Sequence, residues 1–323
     1  MKAIVQSEYG AADVLAVAEV AKPVPKENEV LVSIAAASVH AGDWHLMRGQ
    51  PFLLRLIYGG WLKPKISTIG TDMAGRVEAV GAAVTQFQPG DEVFGDLSAC
   101  GFGAFAEYVA VPETALGLKP DNLTLEQAAT VPVSALAALH GLRDVGQVQP
   151  GQKVLIKGAS GGVGSYAVQM AKAWGATVTA LCSPQKMAMV RSLGADEVVD
   201  SQQIPWAQWQ NQYDLIFDAA AYRPFDRLLP MLKPQGIYVM VGGDTWQLLR
   251  ALLFGGWLSK RSQRQVKCLM SEPNQADLAT LKTMIEAGQV QPMIDRRYTL
   301  SEVPEAMHRL EQRQVQGKVV IVI

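Results

Sequence analysis

The chain has 323 residues, more than the roughly 250–300 at which a single hydrophobic core stops growing, so two domains are expected. A formal charge of −1, from 29 basic and 30 acidic residues, gives no overall electrostatic reason to expect nucleic acid or an anionic membrane as partner. Cys100, Cys182 and Cys268 are far apart, with no C-x-x-C, so neither a zinc cluster nor a disulfide framework is signalled.

The first ten residues, MKAIVQSEYG, do not read as a signal peptide, because one lysine precedes only three apolar residues. Apolar runs at Phe52–Leu62 and Leu248–Leu258 are interrupted by glycine and short of the ~20 residues of a membrane helix. A cytoplasmic protein is expected, with peripheral membrane contact through those two runs as the other option.

Short strands open the chain. Met1–Gln6 is apolar and Val14–Val20 alternates; Pro23 and Pro25 break the chain before the alternating run Glu29–Ala36. The segment ASVHAGDWHLMRGQP then gathers His40, Asp43, Trp44, His45 and Arg48. As a cluster these side chains suit a pocket wall. Singly, each is as well read as local structure, with Asp43 capping a helix whose Trp44 and Met47 face the core. Strands are predicted over Ile69–Gly81, Val84–Gly95 and Gly103–Val111, with Pro89-Gly90-Asp91 as a turn.

From residue 123 the pattern changes. Thr124 and Gln127 form a capping box ahead of small apolar residues at helical spacing. Strand and helix then alternate: strand Val154–Lys157, helix 163–174, strand Ala176–Leu181, helix 185–193, strand 197–199, strand Leu215–Asp218, helix 224–232 and strand Ile237–Val241. This is the pattern of a doubly wound parallel sheet. Trp246–Gly256 reads as a helix, Val266–Met270 as an edge strand, Gln275–Ala287 as a helix and Lys318–Ile323 as a closing strand that belongs with the β-rich half.

The most informative stretch is KVLIKGASGGVGSYAVQMAKAW, residues 153–174. A buried strand, a glycine turn and a helix form the first unit of a dinucleotide fold. Against G-x-G-x-x-G the chain offers Ala159, Gly161 and Gly164, with Ser160, Gly162 and Val163 between them, so the first glycine is replaced. Side chains at Gly161 or Gly162 would hold a pyrophosphate off the helix amides, and Gly164 lets the helix approach the strand. The second strand ends Leu181-Cys182-Ser183-Pro184-Gln185-Lys186, with no carboxylate for a ribose 2′-hydroxyl. Ser183 can donate and Lys186 supplies charge, which favours NADPH over NADH; Arg191, later in the helix, is the weaker candidate.

Together with ASVHAGDW, IGTDMAGRVEAVG, QPGDEVFG, GAFAEYVAVP, AATVPVSALAALHGL, SLGADEVVD and GKVV, this stretch resembles the zinc-free quinone oxidoreductase branch of the medium-chain dehydrogenase/reductase superfamily. The resemblance spans essentially the whole chain. It implies an α/β protein with a GroES-like β-rich catalytic domain (1–122 and 271–323) and a Rossmann NADPH-binding domain (123–270), a cleft between them, and a homodimer, here through Val266–Met270. It also implies nucleotide contacts from Ser134, Ala219, Val241, Gly242, Gly243 and Lys318. Neither nucleic acid nor stable membrane insertion is expected.

Zinc-dependent members carry Cys at the position of His40, and Gly-His-Glu where this chain has Gly70-Thr71-Asp72. Their third ligand aligns near Val131, and Cys100 stands alone where they have four closely spaced cysteines. No metal site is therefore expected. Zinc-free relatives commonly carry Asn at the position of His40. The tyrosine that relatives use for the 2′-phosphate is replaced here by Asp200-Ser201.

The expected reaction is hydride transfer from NADPH to a quinone or α,β-unsaturated carbonyl. His40 is the first candidate to donate to the carbonyl oxygen, and Tyr58 the second. Trp44, His45, Phe52 and Trp246 would line an apolar pocket. The alternatives are a zinc-dependent alcohol dehydrogenase with atypical ligands, and an NADPH-binding structural or sensor protein without turnover.

Overall fold

The computed structural model describes the chain except for residues 59, 205 and 207; the side chains of residues 257 and 260–262 are also outside the described set. Two units emerge, Met1–Ser134 with Glu272–Gly288 and Pro292–Ile323, and Ala135–Ser271 with Gln289–Gln291. The first extends past the expected boundary at 122. Its last residues are tied to it by the Val133 amide, which donates to the Asp72 carboxylate at 2.7 Å.

The first unit begins with β1 (Lys2–Gln6), β2 (Leu15–Glu19), β3 (Glu29–Val39), α1 (Ala41–Arg48) and α2 (Leu53–Ile57). It continues with β4 (Asp72–Val80), β5 (Glu92–Asp96), β6 (Tyr108–Pro112), β7 (Leu116–Leu118), α3 (Leu125–Ala128) and the start of α4 (Pro132–His140). The second unit carries β8 (Lys153–Lys157), α5 (Gly162–Ala173), β9 (Thr177–Cys182), α6 (Met187–Ser192) and β10 (Glu197–Asp200). After these come β11 (Tyr213–Asp218), β12 (Leu232–Met240), α7 (Thr245–Ser262) and β13 (Gln265–Cys268). The chain then returns to the first unit with α8 (Gln275–Glu286), β14 (Ile294–Thr299), α9 (Val303–Glu311) and β15 (Lys318–Val322).

In the first unit β1 and β2 pair antiparallel, and a larger sheet runs β14-β15-β3-β4-β5-β7, with β6 on β3. The closing strand β15 pairs with β3 from Val319↔Val39 to Val322↔Ala36, as its apolar run suggested. Alternation along β3 sends Val30, Val32 and Ile34 into a core shared with Ile4, Met73, Phe105 and Ile321. The second unit has six parallel strands in the order β10-β9-β8-β11-β12-β13, the dinucleotide-fold order.

Several expectations need correction. Residues 224–232 form two short 3-10 turns, Phe225–Arg227 and Leu229–Met231, rather than a helix; Pro230 supplies no amide to a helical ladder. Of the strand expected over Val84–Gly95 only β5 forms, because Pro89 and Gly90 (φ +101°) turn the chain immediately before it. Regular pairing over Gly103–Val111 starts at Tyr108, while Phe105 and Ala106 reach β1 through single contacts. The strand β14 and the helix α9 had no sequence expectation.

The approach of α5 to the turn after β8 fixes the second unit's first βα join. A Cβ on Gly164 would sit 2.1 Å from the Gly158 carbonyl oxygen, whereas one on Gly161 would meet only that oxygen, at 3.4 Å. Gly164→Ala is expected to cost about 1–3 kcal/mol and Gly161→Ala less than about 0.5 kcal/mol, compared by urea denaturation. Equal midpoints for the two variants would contradict the packing argument.

Candidate functional site

His40 is the N-cap of α1. Its Nδ1 accepts from the Gly42 amide at 2.7 Å, and its own amide donates to Asp43 Oδ2 at 3.0 Å, closing a capping box. A neutral ring that accepts at Nδ1 carries its proton on Nε2. That Nε2 is buried without a hydrogen-bond partner among the described residues. Asp43 Oδ2 lies 3.6 Å from it, too far to be a hydrogen bond. Asp43 is fully buried, and its Oδ1 accepts from the Thr71 hydroxyl at 2.8 Å. Burial pushes the Asp43 carboxyl above the usual range, opposed by the His40 ring and the Thr71 bond.

The local-structure reading of this segment holds. Asp43 caps the helix and Met47 faces the core, yet the cap leaves one imidazole N–H unspent. Trp44, one turn on, packs at the core edge with its indole N–H also buried and unpartnered. The His45 ring lies edge-on to Trp44, and its Nδ1 is 2.7 Å from the Gln50 carbonyl. Tyr58 stands in a different setting. It packs edge-on against Phe102 and borders a small cavity with Gln6, Tyr9 and Leu46, whose lining includes neither His40 nor Trp44. Phe52 is half exposed against Trp61.

Beside this cluster, Asp72 is fully buried and its carboxylate is saturated. Ser38 Oγ donates at 2.7 Å, Lys318 Nζ at 2.8 Å and the Val133 amide at 2.7 Å. Lys318, expected at the nucleotide, is only 2% exposed and ion-paired to Asp72; Ser134 is buried in α4. The donor set does not fit a catalytic zinc. His40 Nδ1 is occupied, Thr71 replaces a ligand, and Val131 is buried and apolar. No three His, Cys, Asp or Glu side chains converge as metal ligands among the described residues. Burial pushes the Cys100 thiol up to about 12, leaving it an inert neutral group.

In the second unit α5 starts at Gly161 with no side-chain cap. Its first amides are therefore free of a side-chain partner and suited to an anion. Ala159 and Ser160 are buried beneath the turn, and the amides of Gly158 and Ala159 both reach the Leu181 carbonyl at 3.2 Å. The turn's left-handed residue is Gly158 (φ +78°), whose Cβ would meet Ala220 at 2.8 Å. The tight-turn glycine is therefore not missing; it stands one place ahead of Ala159, a shift that matching to the motif alone overlooked.

Around Cys182, at the end of β9, burial raises the thiol's proton affinity while the charges of Arg191 and Lys186 lower it. Arg191, the weaker candidate on its position, therefore lies near the same strand end as Lys186. Asp200 is in register with Cys182 from the neighbouring β10, and its Oδ1 accepts from the Gln202 amide at 2.9 Å.

The ends of β11 and β12 are tied at Ala219, Val241 and Gly242. Ala219 N donates to Lys157 O at 3.0 Å, Val241 N to Asp218 O at 2.9 Å and Ala221 N to Gly242 O at 2.9 Å. Gly243, with φ +147°, passes so close to Ala221 that a Cβ would meet its backbone at 2.6 Å. Beneath them Asp218, fully buried, accepts from Lys157 Nζ at 3.0 Å, the Ala220 amide at 3.0 Å and the Tyr238 hydroxyl at 2.9 Å. Burial and the Asp218 charge drive the Tyr238 pKa upward, so the phenol stays a donor. A lysine closing the run KVLIK was the one sequence sign of this network. Trp246 is 65% exposed at the start of α7, capped by Asp244.

Residues 26–121 match the family model for an alcohol dehydrogenase GroES-like domain, and 193–321 that for a zinc-binding dehydrogenase. The chain is 32% identical to a chloroplastic quinone-oxidoreductase homologue of Spinacia oleracea, over 99% of this chain and 98% of that one. It is also 32% identical to an NADPH-dependent alkenal/one oxidoreductase of Arabidopsis thaliana, over 99% and 79%. The quinone oxidoreductase structure from Coxiella burnetii superposes with a TM-score of 0.88 at 27% identity, covering 100% of this chain and 99% of that one.

Removing the Lys318 charge would strand a buried carboxylate. Lys318→Met is expected to cost about 3–5 kcal/mol in urea unfolding, with much of the loss recovered in the double variant Asp72→Asn/Lys318→Met. Additive effects in that cycle would contradict the pairing.

Proposed function

The chain belongs to the quinone oxidoreductase branch of the medium-chain dehydrogenase/reductase superfamily, and from that premise we propose that it reduces a quinone or an α,β-unsaturated carbonyl with NADPH, without a metal. The observation that carries this reading is the uncapped, glycine-cleared start of α5 at Gly161. The amides of Gly162, Val163 and Gly164 would take the pyrophosphate, Ser183, Lys186 and Arg191 the 2′-phosphate, and the backbone at Ala219 and Val241–Gly243 the far side. The relative named for NADPH and alkenal/one substrates supports that choice. A homodimer through the edge strand β13 is part of the same proposal.

Bound NADPH supplies a hydride. Hydride addition to an electrophilic carbon would put negative charge on the conjugated carbonyl oxygen. The His40 Nε2–H is the chain's donor for that oxygen, with a worth of about 3 kcal/mol when aligned. Gly42 holds the ring in its Nε2–H tautomer, and Asp43, accepting from the His40 amide, fixes the residue at the head of α1. Trp44, His45, Phe52 and Trp246 are the proposed apolar contacts for a flat substrate. The balancing proton comes from Tyr58 or water, while His40 keeps its single Nε2 proton as the hydrogen-bond donor.

The test is NADPH consumption against a panel of quinones and enones, with product analysis to separate C=C from C=O reduction. His40→Ala is expected to lower kcat about 10²–10³-fold; full turnover in that variant would remove His40 from the mechanism. A requirement for stoichiometric zinc would favour alcohol dehydrogenase chemistry instead.

Coenzyme preference gives a separate check. Lys186→Ala and Arg191→Ala are each expected to raise the KM for NADPH about tenfold, from a loss of about 1.4 kcal/mol per charged contact, and to leave that for NADH nearly unchanged. Parallel changes for both coenzymes would dismiss the 2′-phosphate assignment.

A further inference from the structure

The helix α2 reads LLRLI, and none of its residues is buried. Around it Leu53 is 57% exposed, Ile57 63%, Trp61 61% and Leu62 82%. Contiguous apolar exposure of this kind marks an interaction surface rather than ordinary scatter. The platform is also held in shape. Tyr9 OH donates to Gly60 O at 3.0 Å, Arg55 Nε donates to Gly49 O at 3.0 Å, and the Arg55 guanidinium lies 4.3 Å from the Tyr9 ring centroid.

Charge identifies the partner. The chain averages about one acidic residue in eleven (30 in 323), yet none falls between Asp43 and Asp72. That interval carries Arg48, Arg55, Lys63 and Lys65. Arg48 is paired to Glu311, but Lys63 and Lys65 are exposed and make no ion pair among the described residues. An apolar plate with aromatic residues and unneutralised lysines at its edge is the chemistry of a segment lying in a bilayer interface. The second apolar surface, on α7, also lies in an interval without acidic residues, between Asp244 and Glu272, but its described basic side chains are held differently. Its described arginine, Arg250, is bound to Asp226. The overall charge of −1 hides this local imbalance.

We propose that Leu53, Leu56, Ile57, Trp61 and Leu62 form the apolar plate of a docking surface for an anionic lipid bilayer, on which the plate rests while Lys63 and Lys65 engage headgroups. No described helix is long and apolar enough to cross a membrane, so the contact is peripheral. The inference rests on this surface alone and is independent of hydride transfer.

The experiment is flotation of the full chain with phosphatidylcholine vesicles, with and without phosphatidylserine, at low and physiological salt. Binding is expected to require phosphatidylserine and to weaken with salt. Lys63→Glu/Lys65→Glu should reduce it at least about thirtyfold, from about 1 kcal/mol per basic residue near the surface. Trp61→Ser/Leu62→Ser should reduce it while leaving the urea midpoint unchanged, and Leu253→Glu on α7 should bind normally. Absence of vesicle binding, indifference to phosphatidylserine, or self-association abolished by Trp61→Ser/Leu62→Ser in place of lipid binding would each overturn the proposal.

Discussion

Each unit is pinned by one buried aspartate that accepts from a lysine, a hydroxyl and a backbone amide. Asp72 collects Ser38, Lys318 and Val133; Asp218 collects Lys157, Tyr238 and Ala220. A buried carboxylate is costly unless its lone pairs are filled and its charge is matched. Those demands can be met only when β3, β4, β15 and the start of α4 meet at one point, or when β8, β11 and β12 do. The pairs therefore specify arrangement more than they add net stability.

These hubs lie beside the groups proposed to carry the chemistry. In the first unit the carboxylate fixes the end of β3, from which the chain passes directly into His40 and α1. In the second, Asp218 fixes the backbone at Ala219–Ala221, next to the glycine turn through Gly158 and Ala220. Two rigid platforms result, one presenting an imidazole N–H and the other a row of amides. A donor aimed in advance avoids reorganisation when charge develops on a bound oxygen.

What the sequence made legible was local and periodic. The strand–turn–helix at 153–174, the Thr124–Gln127 capping box and the closing strand at 318 all announce themselves through spacing or caps. Less legible were features that depend on partners remote in the chain. Asp72 and Lys318 are separated by 246 positions, and neither looks unusual alone. The Phe225–Met231 region has helical apolar spacing, but Pro230 and tertiary packing of Phe225 and Leu229 leave it as short turns. At the glycine loop the error was one of register. The turn needs positive φ at Gly158, and a comparison keyed to Ala159 missed it.

The pairing of β15 with β3 also bears on the order in which the protein can be made. The six strands of the second unit come from one continuous stretch, whereas residues 36–39 of β3 must wait for residues 319–322. At about 5–20 residues per second on the ribosome, that delay is on the order of tens of seconds. For that interval one edge of β3 beside the future imidazole site has no partner, its other edge being taken by β4, while the nucleotide unit can already close. That open edge of β3 is therefore the last gap in the first unit's sheet to be filled during translation.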